Sequence, residues 1–404
     1  MKALVETNGF EYYPYSVRNF CLYGDSRPTK IESESYIENV DLSRYKRNFL
    51  NGGYFDQILA HLKPKLFFLD TSKIGFFPEL IRRNQKFVIL STKVNQNRNK
   101  NTPPFSSSFL PIEHSILSRA YCSTIWVLMI FKKRIQKTLS KLNNSGFSWE
   151  DLPLEYLNRY DLLDRVSINK ERLSGFGINN IPEIILSTKS FDYPHIKAEY
   201  NQHYAGPTVD LIRDESVNDE LHSFLAKQRI IFCSFGTYDV KFRRLRTKAI
   251  NTLIHFGVLN ENYNILISIG HDLEVEADLN LPKNVMIQKE VPQLYVLKNS
   301  MIMINHGGMQ SISESILCGV PMLVYPLNPN LDQRGNAARV KYHNLGIIGN
   351  IATISLNDVK RKICVLTSSK KYQDSVLKMR QKFIECDDFS KSMNFIRNFI
   401  LATE

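Results

Sequence analysis

The stretch Met301-Ile302-Met303-Ile304-Asn305-His306-Gly307-Gly308-Met309-Gln310-Ser311, continued by Ile312-Ser313-Glu314-Ser315-Ile316-Leu317-Cys318 and Gly319-Val320-Pro321-Met322-Leu323-Val324-Tyr325, decides the fold. It reads as a short apolar strand, a glycine turn, a helix running to about Cys318, and a second apolar strand. The same alternation extends in both directions. Further strands are predicted at residues 230–235, 264–269, 284–288 and 345–351, with helical segments between them. Alternating strands and helices build a doubly wound parallel sheet. Ligands of such sheets bind beyond the carboxyl ends of the strands. The loops to inspect therefore follow Phe235, Asn305 and Tyr325.

The first half of the chain shows the pattern less cleanly. Leu66-Phe67-Phe68-Leu69 ends at Asp70, a helical pattern runs through residues 78–83, and Phe87-Val88-Ile89-Leu90 reads as a second strand. Such a unit implies parallel strands with a right-handed crossover. Residues 91–109 are polar and carry Pro103-Pro104; they read as a long loop, and such loops tend to be functional or mobile. Residues 112–139 read as one or two helices with a basic end. The pattern breaks at Tyr204-Ala205-Gly206-Pro207, which sets the expected division. Residues 1–205 form one domain, 206–380 a second, and 381–404 a C-terminal helix that packs back on the first. No internal repeat is visible.

Composition bounds the function classes. Of 404 residues, 43% are hydrophobic and 23% charged, which excludes a disordered chain. Lysine and arginine number 52 against 40 aspartates and glutamates, a net charge of +12. The basic residues are scattered except at Lys132-Lys133-Arg134 and Arg243-Arg244-Leu245-Arg246. Neither cluster is interleaved with aromatics, so no nucleic-acid groove is expected. The six cysteines include no CxxC pair, so no zinc or redox motif is written, and no metal site is expected. No apolar run approaches the roughly 18 residues of a bilayer span. The start of the sequence shows no signal-peptide pattern. A cytoplasmic protein is expected, with membrane contact at most peripheral.

The inspected loops hold the chemistry. Ser234-Phe235-Gly236-Thr237 is a small hydroxyl-and-glycine turn that lets backbone approach a phosphate. His306-Gly307-Gly308 precedes a helix whose first amides are free and whose dipole is positive there, an anion site. His306 at its rim can donate to a phosphate oxygen. Two readings compete. Ser311-x-x-Glu314 is also a capping box that needs no ligand, and His306 could be an ordinary strand-end residue. GxGxxG and GxxxxGK[ST] are both absent, so neither a nicotinamide-dinucleotide fingerprint nor a P-loop is present.

Val291-Pro292-Gln293-Leu294, the stretch from Asn305 to Glu314, Gly319-Val320-Pro321-Met322, Pro326, Asp332-Gln333 and Asn336-Ala337-Ala338-Arg339 together resemble the donor-binding signature of UDP-glycosyltransferases. The likeness is strongest to the bacterial branch that includes macrolide and zeaxanthin glycosyltransferases. Tyr204-Ala205-Gly206-Pro207 resembles that family's interdomain linker. The resemblance implies an α/β GT-B architecture of two facing Rossmann-like, doubly wound domains. It implies an inverting transfer of a hexose from a UDP-sugar, with UDP-glucose the favoured donor, to a hydroxyl of a small, lipophilic acceptor. By the same resemblance, His306 donates to the diphosphate, with Gly308, Gln310 and Ser311 beside it. Glu314 accepts from the ribose hydroxyls. Gln293 and the backbone of Val291 meet the nucleoside, Asp332 and Gln333 the sugar, and Ser234, Gly236 and Thr237 the phosphates. No metal is required.

Two departures stand out. Glu290 occupies a position where many relatives stack an aromatic residue on uracil. At the start, residues 1–13 resemble family sequence that follows the second strand. The N-terminal domain is therefore expected to be incomplete by about 30–40 residues, one βαβ unit, including the histidine that deprotonates the acceptor. Asp70 sits where the aspartate that orients this base belongs, while His61 and His114 have weak claims to replace it. The alternatives are an N-terminally truncated, inactive nucleotide-sugar binder, a subunit whose partner supplies the base, and a sugar-nucleotide epimerase on the same fold.

Overall fold

The computed structural model describes residues 2–13, 42–143, 148, 150–173, 175–194, 201–236, 242–271, 273 and 281–401. The chain divides into two compact units. One comprises Met1–Leu90, Met129–Glu183 and Asn398–Glu404, the other Ser91–Leu128 and Ile184–Arg397.

In the first unit, helix α1 (Leu42–Asn51) buries Tyr45 and Phe49. Strand β1 (Phe67–Asp70) and strand β2 (Phe87–Ser91) pair in parallel, Phe67 opposite Phe87 and Asp70 opposite Leu90. Helix α2 (Phe77–Arg82) connects them, opened by Pro78, whose missing N–H costs nothing in the first turn. The core here is aromatic: Phe49, Tyr54, Phe76 and Tyr156 lie ring against ring. Glu79 is fully buried beside them. It is held by the N–H of Gly53 at 3.0 Å, the Arg83 guanidinium at 2.9 Å and the Tyr156 hydroxyl. A buried carboxylate is tolerated only with partners of this kind. Helix α3 (Ile116–Asn143) is one continuous helix, of which residues 129–143 belong to this unit and 116–128 to the other. Helix α4 (Leu152–Arg159) supplies Tyr156.

In the second unit, β3 (Glu183–Ile185) and β4 (Gln202–Tyr204) are neighbouring strands. Asn218 caps helix α5 (Asp219–Leu225) by accepting from the N–H of Leu221 at 2.8 Å. Strand β5 (Ile230–Ser234), helix α6 (Arg243–Leu259), β6 (Asn264–Ser268) and β7 (Val285–Gln288) follow. Helix α7 (Gln293–Lys298), β8 (Ser300–Asn305), α8 (Met309–Cys318), β9 (Met322–Val324), α9 (Gln333–Tyr342) and β10 (Gly346–Ile348) complete the wound part. The six strands are parallel in the order β10-β9-β8-β5-β6-β7. The order reverses between β5 and β8, and that reversal opens the crevice where doubly wound sheets take ligands. All five residues of β5 are buried, as expected for a central parallel strand covered on both faces.

Helix α8 stops at Gly319, whose φ of 74° is left-handed. The N–H of Val320 returns to the carbonyl of Ser315 and that of Gly319 to Ile316, so the last carbonyls of the helix are satisfied. Gly319 is the stop signal that the sequence writes.

Residues 91–109 differ from the expected mobile loop. Beyond Ser91, the end of β2, they contain no helix or strand, yet Val94, Asn95, Gln96, Thr102 and Phe105 are buried. Polar groups of the segment pair with its surroundings, though the Thr102 hydroxyl has no hydrogen-bond partner among the described residues. Asn95 donates to Gln202 at 2.9 Å, Gln96 to Ser91 at 3.1 Å, and the Trp126 indole to the carbonyl of Thr102 at 2.9 Å. Phe105 then meets helix α9. A β-carbon on Gly335 would fall 1.6 Å from the Phe105 carbonyl oxygen, so only glycine fits. One turn on, Arg339 is fully buried and pairs with Asp192, itself 1% exposed: Nε donates to Oδ1 at 2.8 Å, and Nη2 lies 2.7 Å from the same oxygen in the ion pair. Nη1 donates to the carbonyls of Phe105 and Gly335, and Tyr193 stacks under the guanidinium at 4.5 Å. Helices α10 (Leu356–Ser368), α11 (Lys370–Glu385) and α12 (Asp388–Leu401) end the chain. Lys86 donates to the carbonyls of Phe399 and Ile400, filling acceptors that the last turn of α12 leaves open.

Candidate functional site

The site lies in the second unit, at the reversal of strand order. Ser234 and Asn305 are register partners at the carboxyl ends of β5 and β8, so the loops leaving them face each other. After β5 the chain turns at Gly236 with φ 75°. Thr237 lies outside the described residues. After β8, Asn305 Oδ1 accepts from the N–H of Gly307 at 2.8 Å and folds the chain back on itself. Gly307 has φ 91°, and a β-carbon there would meet the Gln333 carbonyl at 2.8 Å. Asn336 Nδ2 closes the turn from helix α9, donating to the Gly307 carbonyl at 2.9 Å.

His306 is held inside this double turn by two glycines. A β-carbon on Gly236 would sit 2.9 Å from its Cε1, and one on Gly308 2.8 Å from its Nε2. The glycines thus let backbone close against both edges of the imidazole. Its Nδ1 is buried and has no hydrogen-bond partner among the described residues. Burial, and then the charge of nearby Arg246, push the pKa of His306 down to about 4. The ring is therefore neutral at physiological pH, one nitrogen carrying a proton to donate. Arg246 is itself buried, and it donates to the carbonyl of Ile269 at 2.9 Å.

Helix α8 opens directly beside this ring. Its N-cap is Gly308, and no side chain caps it. The amides of Met309, Gln310 and Ser311 are thus left for an external acceptor, while that of Ile312 is taken by the Gly308 carbonyl. The capping box read from Ser311-x-x-Glu314 does not form, because Ser311 already lies inside the helix. Glu314 has other partners. It is 2% exposed and accepts from Arg213 Nη1 at 2.8 Å, from Gln310 Nε2 at 3.1 Å and from Gln293 Nε2. Arg213 also bonds Glu215, whose carboxylate accepts from the N–H groups of Leu294 and Tyr295 at the start of α7. Gln293, Gln310 and Glu314 are thus one hydrogen-bonded group. Arg213 and Glu215 in it were not singled out from sequence, for no motif marks them.

The remaining expected residues are placed as follows. Val291 and Pro292 lead into α7, half-buried. Glu290 Oε1 lies 2.7 Å from His271 Nε2, both side chains largely exposed, so a carboxylate–imidazole contact stands at the position of the stacking aromatic. Asp332 Oδ2 accepts from Asn336 Nδ2 at 2.8 Å. Gln333 Oε1 accepts from the N–H groups of Leu327 and Asn328, both at 2.8 Å, and so fixes the loop after β9. Its Nε2 is the part left for a ligand. Asp70 belongs to the first unit, where its Oδ1 accepts from the N–H of Ser72 at 2.6 Å and caps the following turn. His61 stacks on Tyr13, and His114 sits at a left-handed turn with φ 59°. Among the described residues no cluster of His, Cys, Asp or Glu is arranged to hold a metal ion.

Two buried histidines make the fold pH-sensitive. Burial likewise lowers the pKa of His343 to about 4, while its Nε2 lies 3.0 Å from the Phe191 carbonyl. Both groups bind protons more weakly folded than unfolded, where His titrates near 6.5. Their contribution is therefore complete above pH 6.5 and is lost as pH falls from 6.5 toward 4. The urea midpoint is expected to drop between pH 7.5 and pH 5.0. The variant His306→Gln/His343→Gln should show a flatter profile; an equal drop in the variant would refute the assignment.

Comparison with known proteins follows this geometry. Solved structures of similar fold include the glycotransferase of kitacinnamycin, at TM-score 0.60 and 17% identity over 98% of this chain and 88% of that one. CalG4, the calicheamicin glycosyltransferase, aligns at TM-score 0.62 and 14% identity over 100% of this chain and 89% of its own. The fold is thus of the GT-B class. The family model for UDP-glucoronosyl and UDP-glucosyl transferase matches residues 129–387, more than half of the chain, and the protein belongs to that family. Among curated relatives, the NDP-glycosyltransferase YjiC of Bacillus subtilis is 26% identical over 54% of this chain and 54% of its own length. The uncharacterized UDP-glucosyltransferase YdhE of the same organism is 27% identical over 44% of this chain and 43% of its own. The chain thus matches about half the length of these relatives.

Proposed function

We infer that this protein is an inverting glycosyltransferase that moves a hexose from a UDP-sugar, with glucose favoured, to a hydroxyl of a small lipophilic acceptor. The observation that carries the reading is His306: a neutral, buried ring with an unpartnered Nδ1, set at the crevice of a doubly wound sheet beside an uncapped helix N-terminus. A diphosphate would take the imidazole proton and the amides of Met309, Gln310 and Ser311, with Ser234 and Gly236 beside it at the end of β5 and Thr237 a further candidate for the phosphates. The acceptor oxygen attacks the sugar C1 in line, and the C1–O bond to the diphosphate breaks. Its electron pair leaves with UDP, where the fixed donors meet the developing charge. The acceptor's proton needs a general base, the histidine that the sequence does not place and that Asp70 would orient. Val291 and Gln293 face the nucleoside; Asp332 and the Gln333 amide face the sugar.

Glu314 would hold the ribose. A carboxylate offers about four acceptor positions, and protein donors fill three of them. One hydroxyl can bind at the open place on Oε2, and the second must displace a protein donor from Oε1. Glu314→Ala is expected to weaken UDP about tenfold or more, from about 1.5–3 kcal/mol per charged hydrogen bond. Binding of 2′,3′-dideoxy-UDP should change far less. Calorimetry of the four pairs checks this, and an equal loss for both nucleotides would remove Glu314 from the ribose.

The test of the function is UDP release from UDP-glucose across a panel of lipophilic alcohols and phenols, with UDP binding measured separately. Binding with acceptor-dependent release supports transfer. Binding without release would make the chain a nucleotide-sugar binder, and release of an altered sugar nucleotide without acceptor would make it an epimerase. No binding would overturn the reading.

A further inference from the structure

Helix α3 is amphipathic in an unusual sense. Ser118, Cys122 and Trp126 form its packed face, at spacings of four residues, with the Trp126 indole bonded to the Thr102 carbonyl. The opposite face is apolar and bare. Leu117, Leu128, Phe131, Ile135 and Leu142 lie within one narrow stripe at 100° per residue, and are 82%, 60%, 61%, 43% and 74% exposed; at its edge Tyr121 packs its ring on Phe109 at 4.6 Å. Over 28 residues the helix is about 42 Å long. Single exposed apolar residues are ordinary; a continuous stripe of this length marks an interaction surface.

Charge identifies the partner. Helix α3 contains Arg119, Lys132, Lys133, Arg134, Lys137 and Lys141 and no acidic residue. Lys133 pairs with Glu150, and Lys137 and Lys141 with Asp151. Lys132 and Arg134 are exposed, form no ion pair among the described residues and flank the stripe on its two sides at 100° per residue, while Arg119 lies on the far side of the helix. An anionic surface complements the two flanking cations.

We propose that this face docks the protein on an anionic lipid bilayer, with α3 lying in the plane of the interface. The apolar side chains enter the boundary between headgroups and acyl chains, and Lys132 and Arg134 at its edges meet the phosphates. No helix among the described residues is long and apolar enough to cross a membrane, so the contact is one of surface adsorption. The docking is independent of the donor site, and UDP binding therefore reports whether a docking variant is folded.

The experiment is flotation of the full chain with vesicles of phosphatidylcholine alone and of phosphatidylcholine mixed with phosphatidylglycerol. Wild type is expected to float with the mixed vesicles and not the neutral ones, less so as salt is raised. Leu128→Ser/Phe131→Ser should lose about tenfold or more in partitioning, from the apolar area withdrawn, with UDP binding unchanged. Lys132→Gln/Arg134→Gln should lose severalfold on mixed vesicles only. Equal binding to both vesicle types, no binding to either, or undiminished binding of the Leu128/Phe131 variant would overturn the proposal. So would sedimentation showing a wild-type dimer that this variant dissolves, which would make the stripe a contact between copies.

Discussion

His306→Ala is expected to lower kcat for UDP-sugar turnover about 10²–10³-fold, roughly 2.7–4 kcal/mol of transition-state stabilisation, the range for one preorganised donor to a departing anion. The size follows from the surroundings of the ring. It is desolvated and neutral, so its proton is offered without a hydration shell to strip away. It is wedged between Gly236 and Gly308, so its position is fixed before the ligand arrives. Alanine leaves a hole between two glycines that no neighbouring side chain can fill. Affinity for the UDP-sugar should fall by a smaller factor, since its bridging oxygen carries less charge before the bond breaks. His306→Gln, which keeps an N–H donor near the same place, should recover part of the rate. Steady-state kinetics with a calorimetric Kd for the UDP-sugar in the absence of acceptor separate the two effects. A kcat within threefold of wild type would exclude the ring from charge stabilisation.

Arg339→Ala is expected to destabilise the second unit by about 3–5 kcal/mol, the cost of stranding one partner of a buried ion pair. Asp192 would then keep a fully buried carboxylate with only the Tyr204 hydroxyl, 3.3 Å away, and its own chain neighbour's N–H. The carbonyls of Phe105 and Gly335 would lose their donor as well. Asp192→Ala should cost a similar amount by stranding the guanidinium. The double variant Asp192→Leu/Arg339→Met should be more stable than either single one, because replacing both charges with apolar groups removes the desolvation penalty along with the attraction. Urea unfolding of the four proteins gives the coupling energy. Additive losses would mean that the pair does not act as a unit.

The wound sheet was legible in the sequence because its strands are uninterrupted apolar runs. Every predicted strand from Ile230 onward lies within a few residues of its place; two of the three inspected loops leave the strand ends where the order reverses, and the third follows the neighbouring strand. What stayed hidden depends on distant partners. Ser311-x-x-Glu314 has the spacing of a capping box, and nothing local reveals that Arg213, a hundred positions earlier, takes the carboxylate instead. Residues 91–109 look solvated because Asn95, Gln96 and Thr102 are polar, yet all three are buried, Asn95 and Gln96 with side-chain partners and Thr102 through its carbonyl. Arg339 stands inside the recognised signature, but Asp192 lies in an unremarkable run of serines, threonines and lysines. Propensity and periodicity report on neighbours along the chain; a buried polar network reports on neighbours in space.

The separation of Asp192 and Arg339 also has a consequence for how the protein is made. They lie 147 positions apart. At about 5–20 residues per second of synthesis, the guanidinium leaves the ribosome on the order of ten seconds after the carboxylate. Throughout that interval the nascent chain carries Asp192 and the Phe105 segment with their counterpart still untranslated, and neither can be sealed from water. The early part of the second unit must therefore wait, open and within reach of chaperones, until helix α9 emerges to close it.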